Sequence, residues 1–198
     1  MKTYQDFLKV PDNDNERMKF IREVITQHKS SNAYKTAVIA DEYDRQQNTT
    51  IMNFKRALFN LQGKPVDDLW SANYKLASNF FKRFVTQQNQ YLLGNGIIWG
   101  EEETGNKLGK DFDTRVQEAG RAALVEGCSF GFWNLDKLVV FKVTEFAPLY
   151  DEENGALMAG VRFWQLESTK PLRATFYELD GYTDYIWKKS QEIGRAHV

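Results

Sequence analysis

The chain has 198 residues, one Cys and a formal net charge of −1 from 26 Lys/Arg and 27 Asp/Glu. Its 5 Trp, 9 Tyr and 14 Phe are too many for a disordered chain, and a lone Cys builds no disulfide scaffold. Collagen-like, disulfide-rich and disordered classes are thereby excluded, leaving a globular protein of one or two domains for which a reducing compartment is expected. Apolar runs such as Ile97-Ile98-Trp99 are far too short for a membrane span, and Lys2–Asp6 does not read as the start of a signal peptide. The charge is uneven: residues 1–100 hold 14 Lys/Arg against 10 Asp/Glu, and residues 101–198 hold 12 against 17.

In chain order, Asp12-Asn13-Asp14-Asn15 offers N-caps to a helix whose Ile21, Val24, Ile25 and His28 share one face. Ser30-Ser31-Asn32 breaks and recaps it, and Tyr34, Ala37, Val38 and Tyr43 predict a second helix. Residues 44–53 read as a polar loop, followed by a short helix over about 53–62 that Gly63-Lys64-Pro65 stops. The strongest helical pattern runs from Asn73 to Leu93. Tyr74, Ala77, Phe81, Phe84, Val85 and Leu92 form a wide face that is expected to be buried, and Gly94 is expected as a left-handed C-cap.

Asp111 is placed to cap a further helix carrying Phe112, Val116, Ala119, Ala123 and Leu124, with Gly127 at its end. Beyond Cys128 the period shifts toward two. Ser129–Trp133 and Leu138–Val143 predict two strands around a turn at 134–137, and Pro148 is expected to end that unit. Asn154-Gly155 predicts a hairpin between Pro148–Tyr150 and Leu157–Trp164. Ala174–Glu178 and Thr183–Trp187 predict a final pair turning at Asp180-Gly181. Helices first and antiparallel strands after make the fold class α+β.

Catalytic constellations do not emerge. His28 and Cys128 stand one hundred residues apart, with no CxxC, HExxH or paired metal spacing, and Cys128 reads as a small buried filler. No cofactor is expected. Gly94-Asn95-Gly96 follows a helix and has Trp99 where a dinucleotide fingerprint needs its third Gly. Gly105–Asp111 has the wrong spacing for a phosphate loop, with Asp111 in place of Ser or Thr, and reads as a plain loop. Lys55, Arg56, Lys75, Lys82 and Arg83 interleave with Phe54, Phe59, Tyr74, Phe81 and Phe84. Such mixing can serve single-strand binding, although a shared helical stripe predicts that these rings are core.

Read as codons, ATC GGA AGA GCA CAC GTC would encode Ile193–Val198, and that string matches a widely used sequencing adapter. The expectation is that residues 1–192 are a truncated natural sequence and residues 193–198 an adapter-derived tail.

Trp70–Asn95 carries Asn73, Asn79, Phe80, Phe81, Tyr91, Leu92, Leu93 and Gly94 in an order that resembles the Asn-rich aromatic helix of tailed-phage portal proteins, which ends in Tyr-Leu-Leu-Gly. The flanking order is similar too. Phe20–Lys29 and Tyr34–Tyr43 precede it; Glu126–Phe130, Phe146–Asp151, Ala159–Trp164 and Tyr182-Thr183-Asp184 follow. Asn95-Gly96 departs from the family's usual Lys/Asn-Pro.

The resemblance implies a non-enzymatic structural subunit of the head–tail connector. In that family about twelve copies close into a ring by heterologous contacts, and double-stranded DNA passes through it without base readout. It further implies an N-terminal, wing-type portion that meets copies of itself and the major capsid protein or scaffold, in the virion and in the host cytoplasm during assembly. Terminase and the head–tail adaptor would be met by later sequence, and no membrane is involved. The alternative is a small stand-alone nucleic-acid-binding module using the basic flank of the 73–93 helix.

Overall fold

The computed structural model describes residues 2–100, 107–109, 111–187 and 194–195. The phosphate-loop-like segment and most of the expected adapter tail therefore lie outside the described residues, apart from 107–109, Asp111 and the 194–195 pair.

The N-terminal helices form where the side chains can cap them. Thr3 and Asp6 make a reciprocal capping box at α1, Tyr4–Leu8. Asn13 accepts the Asn15 amide at the start of α2, Asp14–Ser30. Ser31 ends α2 and accepts the Tyr34 amide to open α3, Asn32–Asp44. Thr49–Met52 adds a single turn, α4, within the span expected to be loop, and Asn48 just before it is buried.

Residues 53–62 are not a helix. Ala57–Phe59 (β1) pairs antiparallel with Pro65–Asp67 (β2). Asn60 Oδ1 accepts from the Gln62 and Lys64 amides, and Gly63 takes φ 72°, so the chain reverses there. The next helix, α5, spans Phe80–Leu93, with Asn79 rather than Asn73 in the preceding position. Gly94 is right-handed at φ −64°, and the left-handed turn falls on Gly96 at φ 74°. The last helix, α6, Phe112–Glu126, ends at Gly127 with φ 90°, which Gly adopts without a Cβ clash. Asp111 precedes α6 but makes no side-chain cap bond.

Two sheets follow. Ser129–Asn134 (β3) and Lys137–Lys142 (β4) form a hairpin. The other sheet runs in the order β5, β6, β7, β8, β9, all antiparallel, from Phe146–Tyr150, Leu157–Trp164, Leu172–Glu178, Gly181–Trp187 and Gly194–Arg195. The α+β class holds. Pro148 does not end a unit. It sits inside β5, an edge strand, the position in a sheet that tolerates a residue without an amide hydrogen.

The core explains the layering. Ala147, Leu149, Val161, Phe163, Ala174, Phe176 and Tyr185 alternate onto one face of the five-stranded sheet, where they bury Phe7 of α1 and Met18, Phe20, Ile21, Val24 and Ile25 of α2. Each Val, Leu, Ile, Phe or Met among them contributes about 1.5–3 kcal/mol on full burial. The opposite face meets the β3–β4 hairpin through Phe130 and Phe141 on Phe146, and Phe132 and Phe141 on Tyr177. Helix α6 covers the other side of the hairpin, and α3 and α5 pack on α6.

Candidate functional site

The motif helix has two different sides. Val85, Asn89 and Leu93 recur every four residues, which puts them on one stripe. Val85 is buried. Asn89 Nδ2 donates to the Gln117 carbonyl at 3.2 Å, and Gln117 Nε2 donates to the Leu93 carbonyl at 2.9 Å. Gly120 of α6 lies under this stripe: a Cβ there would stand 2.5 Å from Leu93 Cδ1 and 2.8 Å from Asn89 Oδ1. The missing side chain is what lets the two helices approach so closely.

The adjacent side is open. Phe80 and Phe84 stack on each other with ring centroids 6.4 Å apart, yet both are exposed. Tyr91 is 88 % exposed, and Leu92 is exposed beside it. Phe81 and Leu93 are half-buried, and Gly94 is exposed. Asn73 lies before the helix, its Nδ2 donating to the Phe54 carbonyl at 3.4 Å, while Asn79 makes no cap bond. The structure thus gathers Phe80, Phe81, Tyr91, Leu92 and Leu93 on one helix but spreads the set between an anchored and an uncovered side. The expectation of a wholly buried aromatic face is overturned, because α6 and α3 cover only part of it.

The uncovered surface extends through residues 53–79. All six residues of β1 and β2 are exposed. Trp70 is 95 % exposed and Phe59 75 %, with Phe54, Leu69 and Tyr74 also open. The rings interleaved with Lys55, Arg56 and Lys75 are therefore not core. This arm is held largely by its own bonds: Lys55 pairs with Asp67 at 2.8 Å, and Asp68 Oδ1 accepts the Trp70 and Ser71 amides, while Lys75 Nζ ties it to α4 by donating to the Met52 carbonyl.

The buried titratable groups lie elsewhere and grip one short connection, residues 143–145, between β4 and β5. His28 Nε2 is 2.7 Å from the Val143 carbonyl oxygen. That oxygen can only accept, so Nε2 carries the proton, and the buried Nδ1 has no partner. Burial holds the imidazole below its ordinary pKa, partly offset by the bond to Val143. From the other side, Glu126 accepts from the Thr144 amide at 2.9 Å and from Thr144 Oγ1 at 3.1 Å. Burial raises the Glu126 pKa; the Thr144 bonds and Lys142, 3.9 Å away, oppose the rise, and Asp41 adds to it.

Cys128 is exposed, not the buried filler expected. Its thiol is nevertheless pushed up, by desolvation and then by Glu126, the opposite of the direction that activates a nucleophile. Among the described residues, no three His, Cys, Asp or Glu side chains converge as metal ligands. Nor, among those residues, is any helix long and apolar enough to cross a membrane. No protein-family model matches the chain, and no curated protein matches it.

Proposed function

We propose that the chain is the N-terminal, wing-type part of a ring-forming phage portal subunit, a structural element of the head–tail connector. The reading rests on the ordered likeness of Trp70–Asn95 and its flanking segments to that family. One observation in the fold supports it: the Tyr-Leu-Leu-Gly helix is anchored to α6 along one stripe and leaves Phe80, Phe84, Tyr91 and Leu92 uncovered beside it. Large apolar side chains left open along one helix in this way suit a surface that another protein covers. The partners follow from the reading: further copies of the chain, a capsid or scaffold protein, and, through later sequence, terminase and adaptor. Electron microscopy and light scattering of the full-length gene product test it. A closed ring of about twelve subunits is expected; a strict monomer would overturn it.

A second reading gains from the structure. Exposed Phe54, Phe59, Trp70 and Tyr74 lie among Lys55, Arg56, Lys64 and Lys75, the mixture that stacks bases and tracks phosphates. A stand-alone nucleic-acid-binding module would bind single-stranded DNA with an affinity that falls steeply as salt rises. Undetectable or salt-insensitive binding removes it.

A further inference from the structure

An isolated two-stranded hairpin is at best marginally stable in water, and three or more strands or a packed helix are normally needed. Among the described residues the β1–β2 hairpin has neither, and its apolar side chains face solvent. Cover from outside the described body would stabilise it. Two features indicate what would supply it.

The first is charge. The 53–79 arm carries Lys55, Arg56, Lys64 and Lys75 against Asp67 and Asp68. The strand registers bring the β5–β6 and β7–β8 turns to one end of the five-stranded sheet. That end holds Asp151, Glu152, Glu153, Glu178 and Asp180, with Arg17 offsetting part of it at Glu178.

The second is shape. Between the β3–β4 hairpin and the five-stranded sheet lies an open cleft of about 300 Å³. Its walls include Phe130, Phe132, Phe146 and Tyr177, and the exposed Leu157 and Leu179 form its lip beside the acidic turns. This is the lower end of the volume range of ligand pockets, enough for one or two ring side chains rather than a large ligand. No residue of this chain's own arm lines it.

We infer that the arm of one copy docks aromatic side chains, Trp70 or Phe59, into the cleft of a second copy, with its lysines and arginine against the acidic sheet end. The choice of a second copy as occupant rests on the ring-forming reading above. Donor and acceptor are different patches, so in building a ring the contact is head-to-tail and leaves a free arm and a free cleft at the two ends of each pair.

The test uses the 198-residue chain in sedimentation experiments across the micromolar range. Concentration-dependent association is expected. An arm variant, Phe59→Ser with Trp70→Ser, and a lip variant, Leu157→Asp with Leu179→Asp, should each weaken it at least about tenfold, the scale of a buried aromatic anchor. Both sets are exposed, and unchanged thermal unfolding verifies the fold. Mixing the two variants is decisive, because each retains the half the other lacks: one-to-one heterodimers should form, and no longer species.

A monomeric wild-type chain, unweakened variants, or a mixture that yields no heterodimer would overturn the inference. Arm variants that lose single-stranded DNA binding, with no self-association to lose, would overturn it in favour of nucleic acid as occupant. Electron microscopy of the full-length product separates the two proposals. Rings that survive the arm and lip substitutions sink the docking inference alone, and a monomeric full-length product sinks the ring reading.

Discussion

At the residue scale, His28 and Glu126 hold the same connection with opposite pH responses. The folded-state pKa of His28 is lowered, so its contribution to stability is complete above the unfolded value of about 6.5 and is lost as pH falls below it. The pKa of Glu126 is raised, so its contribution grows as pH falls through the folded value toward that of a free carboxyl. Urea unfolding of His28→Phe should show a loss of about 1–3 kcal/mol at neutral pH, the cost of leaving the Val143 carbonyl unpaired, and a shallower decline below pH of about 6.5. Glu126→Gln keeps an acceptor near Thr144 and removes the buried charge. It should unfold at the same or higher urea at neutral pH and lose its share of the acid response. An equal pH profile in all three proteins would contradict the sign of both shifts.

At the element scale, two glycines mark where packing is closest. A Cβ at Gly160 would overlap the Phe146 ring, which lies across β6 between the sheet and the β3–β4 hairpin. Gly160→Ala should therefore cost about 1–3 kcal/mol by overpacking, read as a lowered thermal midpoint. Gly120→Ala sets a gain of about 1 kcal/mol in helix propensity against the intrusion on Leu93 and Asn89. Displacing Asn89 loses its bond to Gln117, so net destabilisation is expected, and Gly120→Val should be worse.

The same packing explains what could be read in advance. Helix α2 was legible because Ile21, Val24, Ile25 and His28 have a sheet to lie on. The strands were legible because their alternation matches two different covered faces. The 53–79 arm was not, since Phe54, Leu58 and Leu61 fit a helical stripe while having no partner to enforce one. The Asn60 side chain and Gly63 decide the turn instead. Likewise, the residue pattern of the motif helix could be read, but which of its sides α6 covers depends on Gly120, far away in sequence.

At the scale of the whole molecule, the contrast is between a layered body and an uncovered arm. Limited trypsin proteolysis of dilute protein should nick residues 53–79 first, at Lys55, Arg56 or Lys75, before any site in α2 or β5–β8. Mass spectrometry of the earliest fragments checks this; first cuts inside the sheet would contradict the division of the molecule. The sequence made the α+β class readable, but not the open state of its aromatic residues, which depends on which surfaces the rest of the chain can reach.

Pro148 bears on how such molecules can meet at all. The Phe163 amide bonds the Glu145 carbonyl, so residues 145 and 147 face β6, and the Pro148 nitrogen points to the open margin of the sheet. A strand arriving from a neighbour finds no hydrogen there to continue the ladder. The missing donor interrupts any ladder at the middle of that margin, so crowded copies adhere more readily through side chains than by splicing their sheets along β5 into one continuous ribbon.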